Sequence, residues 1–178
     1  MLYIKNRYPS RIAAGILLPI TGLTALFYWN SNANERLYQA NFQSYVIPEV
    51  NLRGPETKSY ENISLPKDLK VAIDFYAAKK YKESLPHFEA YRKKQPQNTY
   101  ATFLNGLANL EENNIDVAIP YLETVRINDT NLYEDATWYL ALAYTKQKNK
   151  TAAVKLLSEL IDNSKFYSLQ AKTLKSKL

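Results

Sequence analysis

The sequence predicts an all-α fold: a stack of helix-turn-helix units preceded by one transmembrane helix. Three observations carry this. Residues 65–98, 99–132 and 134–167 align with one another, the second unit 34 residues after the first and the third after one extra residue. Each unit reads as two apolar i, i+3, i+4, i+7 series joined by a short polar turn (KKYKE, NNIDV, KNKTA). Residues 12–29, IAAGILLPITGLTALFYW, carry no charge at all.

Taken in order, residues 1–11 form a short basic N-terminus with Lys5, Arg7, Arg11 and no acid. The uncharged run that follows reaches roughly 27 Å as a helix, close to the ~30 Å of a bilayer's hydrocarbon. Tyr8 on one side and Tyr28 and Trp29 on the other suit the two interfacial belts. Three cations on the short side predict a cytoplasmic N-terminus, with the remainder outside the cytoplasm. That is a single-pass inner (plasma) membrane protein, periplasmic in its main part if the source is bacterial. A cleaved secretory signal is the alternative, since Ser31-Asn32-Ala33 resembles a cleavage site. The run of 18 uncharged residues exceeds the usual ~7–15 of a signal core, which favours retention.

Residues 30–64 read as a linker, punctuated by Pro48, Gly54 and Pro55. Leu37, Tyr38, Phe42 and Tyr45 follow a helical spacing, so a short helix is expected over 34–45. With Val46, Ile47, Val50 and Leu52 they are too apolar for a free tether, and the segment should dock.

In the three units, Ala72, Gly106 and Ala141 stand at one position, and Ser84, Ala118 and Ala153 at another. Phe75, Asn109 and Tyr144 share a third, and Phe88, Leu122 and Leu157 a fourth, with Pro96 closing the first unit. This pattern over 65–167 resembles the tetratricopeptide repeat family. It departs from the family at Asn109, where an aromatic is usual, and units two and three lack the closing proline. The resemblance implies a right-handed superhelical stack whose first helices line a concave groove. Pro86 and Pro120 belong in a first turn, which predicts second helices starting at about residues 83 and 117. Residues 168–178 are expected to cap the stack, with Leu169, Leu174 and Leu178 inward and Lys172, Lys175 and Lys177 outward.

By register, the groove-facing set is Leu69, Ile73, Tyr76, Tyr100, Phe103, Leu107, Leu110, Trp138 and Leu142, with Lys146 at the edge. Such an apolar, aromatic lining suits the hydrophobic anchors of a protein or peptide partner. One occupant is the chain's own linker around 37–52, bound in cis or in a second copy of a homo-oligomer. Family members linked to chaperones hold a C-terminal carboxylate with a Lys/Asn/Arg clamp. The resemblance puts Leu69, Ile73, Phe103 and Leu107 in those places, so that role is not expected.

Composition narrows the rest. Without cysteine there are no disulfides, thiolate sites or cysteine nucleophiles, and one histidine excludes a multi-histidine metal centre. Four scattered glycines make no phosphate-cradling loop. Glu111-Glu112 and Glu134-Asp135 point to different helix faces, and His87 sits beside Phe88. No cofactor, metal, small-molecule substrate or catalytic residue is expected. The +6 charge shrinks to +3 over residues 30–178, because three cations and no acid precede residue 30. Glu111-Glu112 interrupts the basic clusters, so a nucleic-acid track is not expected either. The composition also looks like that of small bacterial envelope proteins. The expected function is an extracytoplasmic, membrane-anchored scaffold for protein–protein contacts. A secreted or periplasmic soluble repeat protein, its groove filled by its own linker, is the alternative.

Overall fold

The computed structural model describes residues 32–47 and 66–178, and among them every regular element is an α-helix. In chain order these are α1 (Ala33–Asn41), α2 (Lys67–Ala77), α3 (Tyr81–Lys94), α4 (Thr99–Glu111), α5 (Ile115–Asn128), α6 (Tyr133–Lys146), α7 (Lys150–Asn163) and α8 (Ser168–Lys175). The uncharged run 12–29 lies outside the described residues. Among those described, no helix is long and apolar enough to cross a membrane.

Helices α2 to α7 form three antiparallel pairs, α2/α3, α4/α5 and α6/α7, and α8 packs on α7. The three pairs close through one backbone device. Lys79, Asn113 and Lys148 adopt left-handed conformations with φ of 57°, 62° and 64°. The Lys79 N–H donates to the Tyr76 carbonyl and the Lys80 N–H to that of Phe75, both at 2.9 Å. Asn113 and Asn114 repeat this on Leu110 and Asn109, as do Lys148 and Asn149 on Thr145 and Tyr144. These are Schellman turns, which satisfy the last carbonyls of each first helix and start the second one at once.

Close packing of each pair rests on the small residues. Ala72, Ala141, Ser84, Ala118 and Ala153 are fully buried, as are Phe88, Leu122 and Leu157 beside them. At Gly106 a Cβ would lie 3.2 Å from both Leu122 and Tyr121, so α4 approaches α5 more tightly than a methyl comfortably allows. Neighbouring units are tied through polar side chains. Glu89 accepts hydrogen bonds from Asn105 and Tyr121, both at 2.6 Å, and from Arg92 at 3.1 Å. Arg126 pairs with Glu159 at 2.6 Å, joining α5 to α7. Asn109, the departure from the aromatic pattern, donates to the Asn105 side chain at 3.0 Å and accepts from Asn114. A polar chain thus fills the place of a ring.

Two expectations are corrected. The second helices start at Tyr81 and Ile115, so Pro86 and Pro120 sit in the second turn rather than the first. Both prolines are exposed, and the carbonyl one turn earlier that loses its N–H partner belongs to Lys82 or Asp116, residues that are also exposed. In α8, Leu169 points outward at 75% exposure. Ala171 and Leu174 make the buried stripe, with Leu178 partly buried against the core, because i, i+3, i+7 from Ala171 is the face α7 presents a surface to.

Candidate functional site

The first helices of successive units touch one another, α2 with α4 and α4 with α6, so they form the inner layer of the stack. A helix lining an open groove would keep one exposed stripe. Instead, every residue of α4 from Ala101 to Leu110 is buried, and so is every residue of α6 from Ala136 to Ala143. Residues 32–47 account for this, because α1 and the extended stretch after it lie along the inner face. They run antiparallel to α6.

The contacts follow in order along the segment. Asn34 donates through Nδ2 to the Thr145 carbonyl at 3.0 Å, and Glu35 pairs with Lys146 at 3.2 Å. Lys146 Nζ also stands 4.3 Å from the centroid of the Tyr38 ring, a cation–π contact on a half-buried lysine. Tyr38 is 2% exposed, and its hydroxyl reaches the Leu110 carbonyl at 3.5 Å. One turn on, Phe42 stacks on Tyr38 at 4.9 Å and meets the Tyr139 ring edge-on at 5.9 Å. Past the helix end, Tyr45 packs edge-on against Phe103 at 5.1 Å and Tyr139 at 6.4 Å. The groove then holds the extended backbone itself. Tyr139 donates to the Gln43 carbonyl at 2.8 Å, and Tyr76 to that of Tyr45 at 3.4 Å.

Burial, more than any other influence, raises the pKa of Tyr38, Tyr76 and Tyr139, so these hydroxyls stay protonated donors. Glu35 is held below its ordinary value, first by the hydrogen bond from Gln39 and then by Lys146, against a smaller opposing effect of burial. The chemistry is that of peptide recognition: rings for side chains, hydroxyls for carbonyls, and an ion pair at one end. An open cleft of about 390 Å³ remains beside α1, lined by Glu35, Gln39, Glu111 and Lys146 among others.

Of the groove-facing residues named from sequence, Tyr76, Phe103 and Leu110 make these contacts. Leu69, Leu107 and Leu142 are buried in the core, while Ile73 and Tyr100 are partly buried against it. Trp138 is buried but turns to the C-terminal end, stacking on Tyr167 at 5.2 Å. Sequence reasoning missed Tyr139, which packs against Phe42 and Tyr45 and donates to the Gln43 carbonyl. Tyr139, Leu142 and Lys146 share one face at i, i+3, i+7, but Trp138 and Leu142 fit the same register at i, i+4. The pair Glu134-Asp135 holds the turn before α8. Glu134 accepts from Ser164, and Asp135 accepts from the Tyr167 hydroxyl. His87 stacks on Phe75 at 5.3 Å.

Among known proteins, the family model described as tetratricopeptide repeat matches residues 69–132 and again 107–168, together more than half of the chain. No curated protein and no solved structure matches.

Proposed function

Since the chain belongs to the tetratricopeptide repeat family, whose repeats serve as protein–protein interaction scaffolds, we propose that it is a membrane-tethered scaffold for protein partners. Its aromatic inner groove is a peptide site, and residues 32–47 are its resident peptide. A partner enters by competing with that segment. The supporting observation is Tyr38, a nearly dehydrated aromatic held between Leu110 and Lys146. The uncharged run 12–29 and the cations before it support tethering with the repeats outside the cytoplasm. The reading gives the chain no catalytic role and no cofactor.

Crosslinking the full chain in its native membranes tests this. Tyr38→Ala weakens the resident segment and should increase the yield of a specific partner adduct. Phe103→Ala with Tyr139→Ala removes the rings a partner would use and should abolish that adduct. Identical adduct profiles from wild type and both variants would overturn the reading.

A further inference from the structure

The end of the stack carries a surface that neither the core nor the groove uses. Phe166, in the turn before α8, and Leu169, in its first turn, are 76% and 75% exposed. They lie three residues apart, and Leu169 stands on the face of α8 opposite the buried Ala171 and Leu174. Lys165 and Lys172 flank them, and Lys177 follows at the far end of the helix, all exposed. Residues 163–178 contain four lysines and no acid. Of the carboxylates around the turn, Glu134 beside Lys165 already accepts the Ser164 hydroxyl, Asp135 accepts the Tyr167 hydroxyl, and Asp162 precedes the turn on α7.

Large exposed apolar side chains in a basic surround are the composition of an interfacial membrane contact. A second copy fits less well, because joining two such faces would set lysine against lysine. Chain connectivity brings the end of α8, where Lys177 lies, near the tether. Only residues 30–32 separate the uncharged run from α1, a span of at most roughly 14 Å. Helix α1 touches α8, and its first turn binds Thr145 and Lys146. The turn just past them leads to Lys150, whose ammonium bonds the Leu178 carbonyl. The start of α1 and the end of α8 therefore share one end of the molecule.

We propose that the outer face of α8 and the turn before it form a second, peripheral membrane contact that lays the end of the stack on anionic lipid headgroups. Phe166 and Leu169 insert at the headgroup boundary, and Lys165, Lys172 and Lys177 supply the attraction. The proposal rests on the tethered reading for its geometry. Each lysine near an anionic surface changes partitioning about fivefold.

The sequence has no cysteine, so Thr173→Cys places a single polarity-sensitive dye on this face of the full chain. Ile127→Cys, on an exposed residue of α5, is the control position. The two are compared in phosphatidylcholine vesicles with and without phosphatidylglycerol. The dye at 173 should shift to the blue only with phosphatidylglycerol at low salt, and Lys172→Glu with Lys177→Glu should abolish the shift. The dye at 127 should not respond. A dye at 173 that stays water-like overturns the proposal, as does one that shifts without lipid as protein concentration rises, which means self-association. Flotation with pure phosphatidylcholine at high salt reports the tether separately. Flotation without a dye shift leaves the tether and removes this contact; a lipid-dependent shift without that flotation does the reverse.

Discussion

Lys79 and Lys148 hold left-handed backbone at the turns of the first and third units, a conformation that costs a residue with a Cβ about 1 kcal/mol. Their ammonium groups near a helix C-terminus return only about 0.3–1 kcal/mol, less at these exposed sites. Glycine removes the larger effect and forfeits the smaller. Lys79→Gly and Lys148→Gly should each therefore raise stability, by roughly 0.5 kcal/mol. Asn113→Gly should change it less, since asparagine tolerates this conformation. Urea unfolding of the full chain in micelles measures all three. A Lys148→Gly protein that unfolds at lower urea would refute the argument. These turns also mark what could be read in advance. A polar turn was legible at KKYKE, NNIDV and KNKTA, but the left-handed residue was not in the first and third, where lysine gives no signal for that conformation.

At the scale of the element, α1 is too short to hold its shape alone. Nine residues fall below the ~12–15 at which an isolated helix becomes even marginal, and no side chain caps its first turn. The helix exists because Tyr38 and Phe42 are docked, so losing the fully buried Tyr38 ring releases the segment as a unit. Removing a buried aromatic costs about 3–5 kcal/mol where the surroundings stay ordered. Here the loss is limited to the docking free energy of the segment. Tyr38→Ala should lower stability substantially, Phe42→Ala less, and the double variant hardly more than Tyr38→Ala. Additive costs in that double-mutant cycle would mean the rings act independently. The same element shows why the groove was only partly legible. Ala72, Gly106 and Ala141 recur because every unit must solve the same packing problem, and a repeated constraint leaves a repeated residue. The occupant of the groove is met by different residues in each unit: Tyr76 in the first, Phe103 and Leu110 in the second, Tyr139, Thr145 and Lys146 in the third. A single 100° step around α6 separates Tyr139 from Trp138, and register alone could not choose between two adjacent aromatics. In α8, alternation of leucine and lysine suggested the inward face, but the small Ala171 decided it.

Across the whole molecule, carboxylates that join separate elements set how stability responds to pH. Burial raises Glu89, but hydrogen bonds from Tyr121 and Asn105 and the charge of Arg92 outweigh it, so its pKa is lowered. Asp129 is lowered likewise, burial being outweighed by Thr99 and the N–H groups of Leu132 and Asn131. Glu134 is lowered chiefly by the Ser164 hydroxyl, and Glu35 by Gln39. A lowered folded pKa means stability that is present above the unfolded value near 4 and lost as pH falls through the folded one. These four ties link α1 to α6, α3 to α4 and α5, α4 to the turn after α5, and α6 to the turn before α8, so acid loosens the stack at several joints together. Asp135 works in the opposite sense. Burial raises its pKa, and Glu134 adds to that, against the Tyr167 hydrogen bond. In the folded protein it binds its proton more tightly than in the unfolded chain, so its contribution falls as pH rises through that window and stays unfavourable at neutrality. Asp135→Asn keeps an oxygen to accept from Tyr167 and removes the buried charge. The urea midpoint of the wild type should rise from pH 3 to pH 5, and Asp135→Asn should raise it further, by more at pH 7 than at pH 3. An equal gain at both values, or a loss at pH 7, would show that the carboxylate beside Tyr167 carries no penalty.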